Sequence, residues 1–149
     1  MSFHILFADD NPDTRELVRL IFNSRLPNAA VTLAPDGTGA VAFIRAGVPV
    51  NLILLDYHMP PDGDGGVRAA REIHRLQPAV PLFFLSAYTL DRAMATARAS
   101  GAWGYLCKDA IIHTAVFNAL VTGDRDTWRR LQLRGYKLQL FEENLPVRS

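Results

Sequence analysis

Cysteine is almost missing from this chain: Cys107 stands alone among 149 residues. One thiol excludes an internal disulfide and fits a reducing compartment, so we expect a cytoplasmic protein. An excess of either charge is also missing. Sixteen basic and fifteen acidic residues leave a formal net charge of +1, which gives no overall pull toward nucleic acid or a membrane surface. No apolar run reaches the roughly 18 residues a membrane helix needs. The N-terminus lacks the charged region and apolar stretch of a secretory leader, so none is expected. Long-period repeats and low-complexity tracts are absent too. Lysine is the scarcest charged residue. Only Lys108 and Lys137 occur, against fourteen arginines.

What is present is an ordinary globular composition, with 49% hydrophobic and 21% charged residues. The length fits one domain, and at this size about 68–70% of the unfolded surface is buried on folding.

Acidic side chains sit where apolar strands end. Phe3 to Ala8 runs into Asp9 and Asp10, and Asn51 to Leu55 runs into Asp56. An apolar run ending in carboxylates reads as a parallel strand delivering acid to the carboxyl edge of a sheet. Two such strands side by side gather three carboxylates, whose mutual repulsion calls for a cation or protons. Mg²⁺ suits the place, because it takes oxygen ligands and one or two carboxylates with waters or a phosphate. Pro81 to Leu85 delivers Ser86, and Gly104 to Cys107 delivers Lys108. A hydroxyl and an ammonium beside a metal–carboxylate cluster fit a phosphoryl group. A chain that uses Arg almost everywhere keeps Lys at this strand end, where a compact charge on a flexible stem differs from a rigid fork.

Strands alternate with helical patterns throughout, which predicts an α/β fold with helices on both faces of a parallel sheet. The first helix is expected to start at Asn11-Pro12-Asp13, with Asn11 as cap, and to repeat Leu17, Leu20 and Ile21 at helical spacing. The second strand is expected over 30–33. Further helices are expected over about 38–46, 66–76, 90–100 and 110–122. Gly47, Gly101 and Gly123 stand at or just beyond the ends of three of them.

These residues together resemble the CheY-like receiver domain of two-component response regulators. The resemblance rests on Asp9-Asp10, Ala34-Pro-Asp-Gly37 with Ala40, Leu52 to Asp56, Met59-Pro60 followed by Asp64-Gly65, Leu85-Ser-Ala87, Gly101-Ala102 and Gly104 to Lys108. It spans about residues 3 to 122, and five strand-end matches occur in the family's order. It implies a doubly wound, flavodoxin-like (βα)5 fold, with a five-stranded parallel sheet of order 2-1-3-4-5. It also implies that Asp56 accepts a phosphoryl group from a sensor histidine kinase or histidine phosphotransfer protein. Mg²⁺ would be held by Asp9, Asp10, Asp56 and the backbone carbonyl of His58. Ser86 and Lys108 would bind the phosphoryl oxygens, and Ser86 with Tyr105 would form the conformational switch. His58 and Tyr88 occupy positions that tune self-dephosphorylation, and both are bulky, so a long-lived phosphoaspartate is expected. Such a protein is no conventional enzyme, since it promotes only its own phosphorylation and slow dephosphorylation.

The sequence departs from the family pattern in two places. Asp109 follows Lys108 where the family often has proline, so a cis bond there is not expected. Lys-Asp at this point resembles the receivers of NarL-type regulators, yet no DNA-binding domain is expected in this length. Pro61-Asp-Gly63 also lengthens the loop after Pro60 by one residue.

The resemblance divides the chain into a receiver domain at 1–123 and an extension at 124–149. Asp124 to Arg134 reads as a sixth helix with Trp128 and Leu131 on one face, and Tyr136 to Phe141 alternates as a half-buried strand does. This extension is too apolar for a disordered end. It either packs on the domain or serves as a dimerisation or docking arm. The sequence leaves the oligomeric state open, with a homodimer through this extension or through the face of helix four, strand five and helix five as one option. His4, His74 and His113 lack ligand spacing, and Cys107 reads as a core residue.

Three other functions compete. A phosphorylation-independent interaction module would have no need of Asp10, Asp56, Ser86 and Lys108 together. A haloacid-dehalogenase-like phosphatase places its two aspartates one residue apart, whereas Asp9 and Asp10 are adjacent. A flavodoxin-like flavin site needs a phosphate loop where Asp9-Asp-Asn-Pro-Asp13 would repel phosphate.

Overall fold

The computed structural model describes residues 3–87 and 93–147. Its five parallel strands are β1 (His4–Ala8), β2 (Ala30–Ala34), β3 (Leu52–Asp56), β4 (Leu82–Ser86) and β5 (Gly104–Cys107). A sixth, β6 (Leu138–Leu140), joins antiparallel to β5, so the sheet order is 2-1-3-4-5-6. The expected order of the first five holds, and the C-terminal segment adds a strand to it.

The sheet is buried on both faces by alternating side chains, as an α/β sheet requires. Leu6, Ala8, Ile53, Leu55 and Phe84 point to one apolar cluster. Ile5, Phe7, Leu52, Leu54, Phe83 and Leu85 point to the other. The first cluster is covered by α2 (Gly37–Arg45), α3 (Gly65–Leu76) and α4 (Met94–Ala99); the second by α1 (Pro12–Arg25), α5 (Thr114–Thr122) and α6 (Arg125–Leu133).

Local chemistry fixes the helix starts. Asn11 caps α1 by accepting the N–H groups of Asp13 at 2.8 Å and Thr14 at 3.3 Å, with Pro12 in the first turn. Asp36 caps α2 through the N–H of Gly39 at 2.8 Å. The buried stripe of α1 is Val18 and Phe22, whereas Leu17 and Leu20 are about half exposed. Of the three expected residues Ile21 packs against the core, while Leu17 and Leu20 do not. Val18 and Phe22 are four apart and meet the core, and Phe22 packs 4.8 Å from the Phe117 ring. The expected fifth helix is split into a 3-10 turn over Lys108–Ile112 and α5. Of the fourth, only Met94–Ala99 falls among the described residues.

The C-terminal segment packs on the domain. Trp128 is fully buried and donates its indole N–H to the carbonyl of Ala119 at 2.8 Å. Leu131, Leu138 and Leu140 complete the second apolar cluster, while Phe141 enters the first. Residues 124–147 thus share their sheet and cores with the preceding residues. Among the described residues no helix is long and apolar enough to cross a membrane.

Candidate functional site

Parallel strands in register set their exits side by side. Ala8 pairs with Leu55, Asp56 with Leu85, and Ser86 with Cys107. The next residues along β1 and β5 are Asp9 and Lys108. One carboxylate oxygen from each of Asp9, Asp10 and Asp56 lies within 4.8 Å of the others. The Lys108 ammonium lies 2.9 Å from Asp9 Oδ2 and 3.3 Å from Asp56 Oδ1. Asp9 is fully buried, Asp56 nearly so, and Asp10 exposed. The expected cluster of carboxylates and ammonium is thus assembled from chain positions up to 99 residues apart, from Asp9 to Lys108.

The group that pins Asp9 is local. Its Oδ1 accepts the N–H of Asn11 at 2.9 Å, and its own N–H donates to Ala34 at 3.1 Å. Arg15 reaches back from α1 to donate to the Asp9 carbonyl at 2.8 Å. The role of Arg15 escaped the sequence reading, because six residues separate the pair and no motif marks it.

Electrostatics follow from the crowding. Burial first, then the charge of Asp9, raise the Asp56 carboxyl against the opposing pull of Lys108, and the net result is about 6. For Lys108 burial works against the ammonium. Its hydrogen bond to Asp9 and the charges of Asp56 and Asp9 outweigh that, so its pKa is raised. Three carboxylates face one ammonium here, and the surplus negative charge is what a divalent oxygen-seeking cation would offset. The donor set, all carboxylate oxygen with one exposed member open to solvent, fits a hard ion such as Mg²⁺.

Ser86 is fully buried at the end of β4. Tyr105 is also buried, in the apolar cluster that includes Phe141 from the C-terminal segment. His58 is exposed, and its ring stands edge-on to Tyr57 at 4.9 Å. Tyr88 lies outside the described residues. The cis peptide bond among the described residues is Pro60–Pro61, while the bond after Lys108 is trans, as expected.

The loop between β3 and α3 is held against the site by two glycines the sequence reading did not single out together. A Cβ on Gly66 would meet the Asp56 carbonyl oxygen at 2.3 Å, and one on Gly65 the Pro60 carbonyl oxygen at 2.0 Å. The Gly-Gly pair at the start of α3 was the available signal.

Comparison with known proteins agrees with this geometry. The family description "Response regulator receiver domain" matches residues 5–116. The response regulator UvrY of Escherichia coli is 34% identical over 107 residues, covering 72% of this chain and 48% of that protein. The chain thus spans about half the length of the curated relatives it matches first. Among solved structures, response regulator TrrA of Thermotoga maritima, in complex with Mg²⁺ and BeF, is 27% identical with a TM-score of 0.61, over 70% of this chain and 85% of that one. A CheY-like receiver domain protein of Methanospirillum hungatei shares the fold at a TM-score of 0.66 and 18% identity, over 97% of both chains. By sequence and by fold, the chain belongs to the response regulator receiver domain family.

Proposed function

We propose that the chain accepts a phosphoryl group on Asp56 from the phosphohistidine of a sensor histidine kinase or a histidine phosphotransfer protein. The observation that carries this reading is Asp56 held 3.3 Å from the Lys108 ammonium inside a cluster with Asp9 and Asp10. An Asp56 carboxylate oxygen attacks phosphorus, forming an O–P bond. The N–P bond of the donor breaks, and its electron pair returns to the imidazole nitrogen.

Asp9, Asp10, Asp56 and the His58 carbonyl are the residues that would hold Mg²⁺. Bound there, the cation supplies charge neutralisation for phosphoryl oxygens. Lys108 pairs with one phosphoryl oxygen after transfer, and the Ser86 hydroxyl turns toward another. Tyr105 then shifts with the Ser86 loop, changing the face formed by α4, β5 and α5. His58 and Tyr88 restrict water at the phosphoaspartate, so its loss is slow. The altered face passes the signal by protein contact, to a downstream protein or a second copy of the chain, within the cytoplasm.

A phosphorylation-independent module of the same fold is the weaker reading, because two buried carboxylates sharing one partly exposed ammonium are costly to keep without a ligand to serve. Incubation with acetyl phosphate and Mg²⁺ separates the two. The expected result is one added phosphoryl group by intact mass, dependent on Mg²⁺ and lost in Asp56→Ala. No mass gain in the folded wild-type chain overturns the proposal.

A further inference from the structure

Lys108 leaves β5, and β5 has only two neighbours to hold it. On one side β4 pairs with it through Ser86↔Cys107. On the other side is β6, with Gly104↔Leu140, Tyr105↔Gln139 and Leu106↔Leu138. At the very end of β5 the N–H of Cys107 donates to the carbonyl of Lys137 at 3.0 Å. The Lys137 ammonium lies 3.4 Å from Asp109 Oδ2. One residue of the C-terminal segment therefore grips the residues immediately before and after Lys108.

The sequence makes room for this grip. A Cβ at position 104 would lie 2.4 Å from the Gln139 carbonyl oxygen, so glycine is what lets β6 approach. The segment is anchored independently of the site. Gln132 Oε1 accepts the N–H of Leu140 at 2.7 Å, and Arg129 forks onto Glu142 at 2.7 and 2.9 Å. Asn144 donates to the carbonyls of Arg98 and Ala102 at 2.7 and 2.8 Å.

We propose that the C-terminal segment is a positioning element for Lys108, acting through Lys137, which fixes both flanks of Lys108 and so holds its ammonium between Asp9 and Asp56. This rests on the phosphoacceptor reading for its purpose, while the contact itself is independent of it. Lys137 is a positioning residue, since it touches neither carboxylate. A backbone end tethered on both sides of Lys108 loses less freedom when the ammonium meets a phosphoryl oxygen. The two lysines of the chain are thus the two ends of one device.

That pair of lysines also makes the test simple, because Lys137→Met leaves Lys108 as the sole side-chain amine. The full-length chain and its Lys137→Met, Lys137→Arg and Gly104→Ala variants are treated with an amine-acetylating ester, and the initial rate at Lys108 is read by peptide mass spectrometry. The same proteins are labelled with acetyl phosphate and Mg²⁺. Lys137 is exposed, so its replacements keep the fold. The expected result is a Lys108 acetylation rate about threefold higher in Lys137→Met, the size of one exposed ion pair, with slower Asp56 labelling. Lys137→Arg behaves as wild type, and Gly104→Ala exceeds Lys137→Met, as it displaces the whole strand. A Lys108 rate unchanged in Lys137→Met overturns the proposal, whether or not Gly104→Ala folds. Lys108 reactivity that follows these variants in a wild-type chain taking no phosphoryl group supports the positioning contact and defeats the phosphoacceptor reading instead.

Discussion

Gly66 and Asp56 meet at a distance that admits no side chain: a Cβ on residue 66 would lie 2.3 Å from the Asp56 carbonyl oxygen. The first turn of α3 therefore rests directly on the backbone that presents the acidic carboxylate. Gly66→Ala forces one of them to move. The expected cost is about 1–3 kcal/mol, as for an overpacked core, with weaker Mg²⁺-dependent labelling of Asp56. Urea unfolding and intact-mass labelling check both. A variant with wild-type midpoint and wild-type labelling contradicts the contact.

The crowding at Asp56 gives the metal-free protein a pH dependence of definite sign. The folded chain holds this proton up to about pH 6, whereas an unfolded aspartate releases it near 3.9. The folded state binds more protons across that window, so its stability falls as pH rises from about 4 to 6. Asp56→Asn removes the titration. Melting temperatures of both proteins between pH 4 and 7, in chelator, are expected to show a wild-type decline that the variant lacks. Parallel curves contradict the shift.

The same proton competes with a divalent cation for the carboxylates. Mg²⁺ affinity is expected to weaken as pH falls through about 6. Calorimetric titration at pH 5 and pH 8 reads it directly. Equal affinities at the two values would remove Asp56 from the cation site.

Lys108 is the counter-ion of a buried carboxylate, since Asp9 is fully buried at 2.9 Å from it. Lys108→Ala strands that charge and is expected to destabilise the metal-free chain by about 1–3 kcal/mol. Mg²⁺ then restores more stability to the variant than to wild type, because it replaces the missing cation. Melting curves with and without Mg²⁺ give the two increments, and a smaller increment in the variant refutes the assignment.

Trp128 carries the attachment of the C-terminal segment. It is fully buried, lies 5.2 Å from the Phe83 ring and donates to Ala119. Trp128→Ala is expected to cost about 3–5 kcal/mol. Trp128→Phe keeps the apolar contact and costs less. Urea midpoints for the two variants test the order, and equal losses contradict it.

Much of the site could be read from strand ends, because a parallel strand delivers its next residue to one edge whatever its neighbours are. Asp9, Asp56, Ser86 and Lys108 were placed by that rule alone. The buried face of α1 could not be read so surely. Leu17, Leu20 and Ile21 have the right spacing, yet the core meets Val18, Ile21 and Phe22, and one step of helix rotation separates Leu17 from that stripe. The C-terminal segment was legible as a helix and a strand. Its partner was not, since nothing local in Leu138 to Leu140 names β5 as the neighbour. The clue lay 36 residues earlier, from Leu140 back to Gly104, whose missing side chain makes sense only once the second backbone is seen against it.

That separation has a consequence during translation. At about 5–20 residues per second, β5 leaves the ribosome roughly two to seven seconds before the strand that covers it. In that interval the nascent chain carries an open ladder beside Tyr105 and Leu106, which any extended peptide nearby can join. Chaperone demand on this polypeptide should therefore concentrate on the time between emergence of Cys107 and emergence of Leu140.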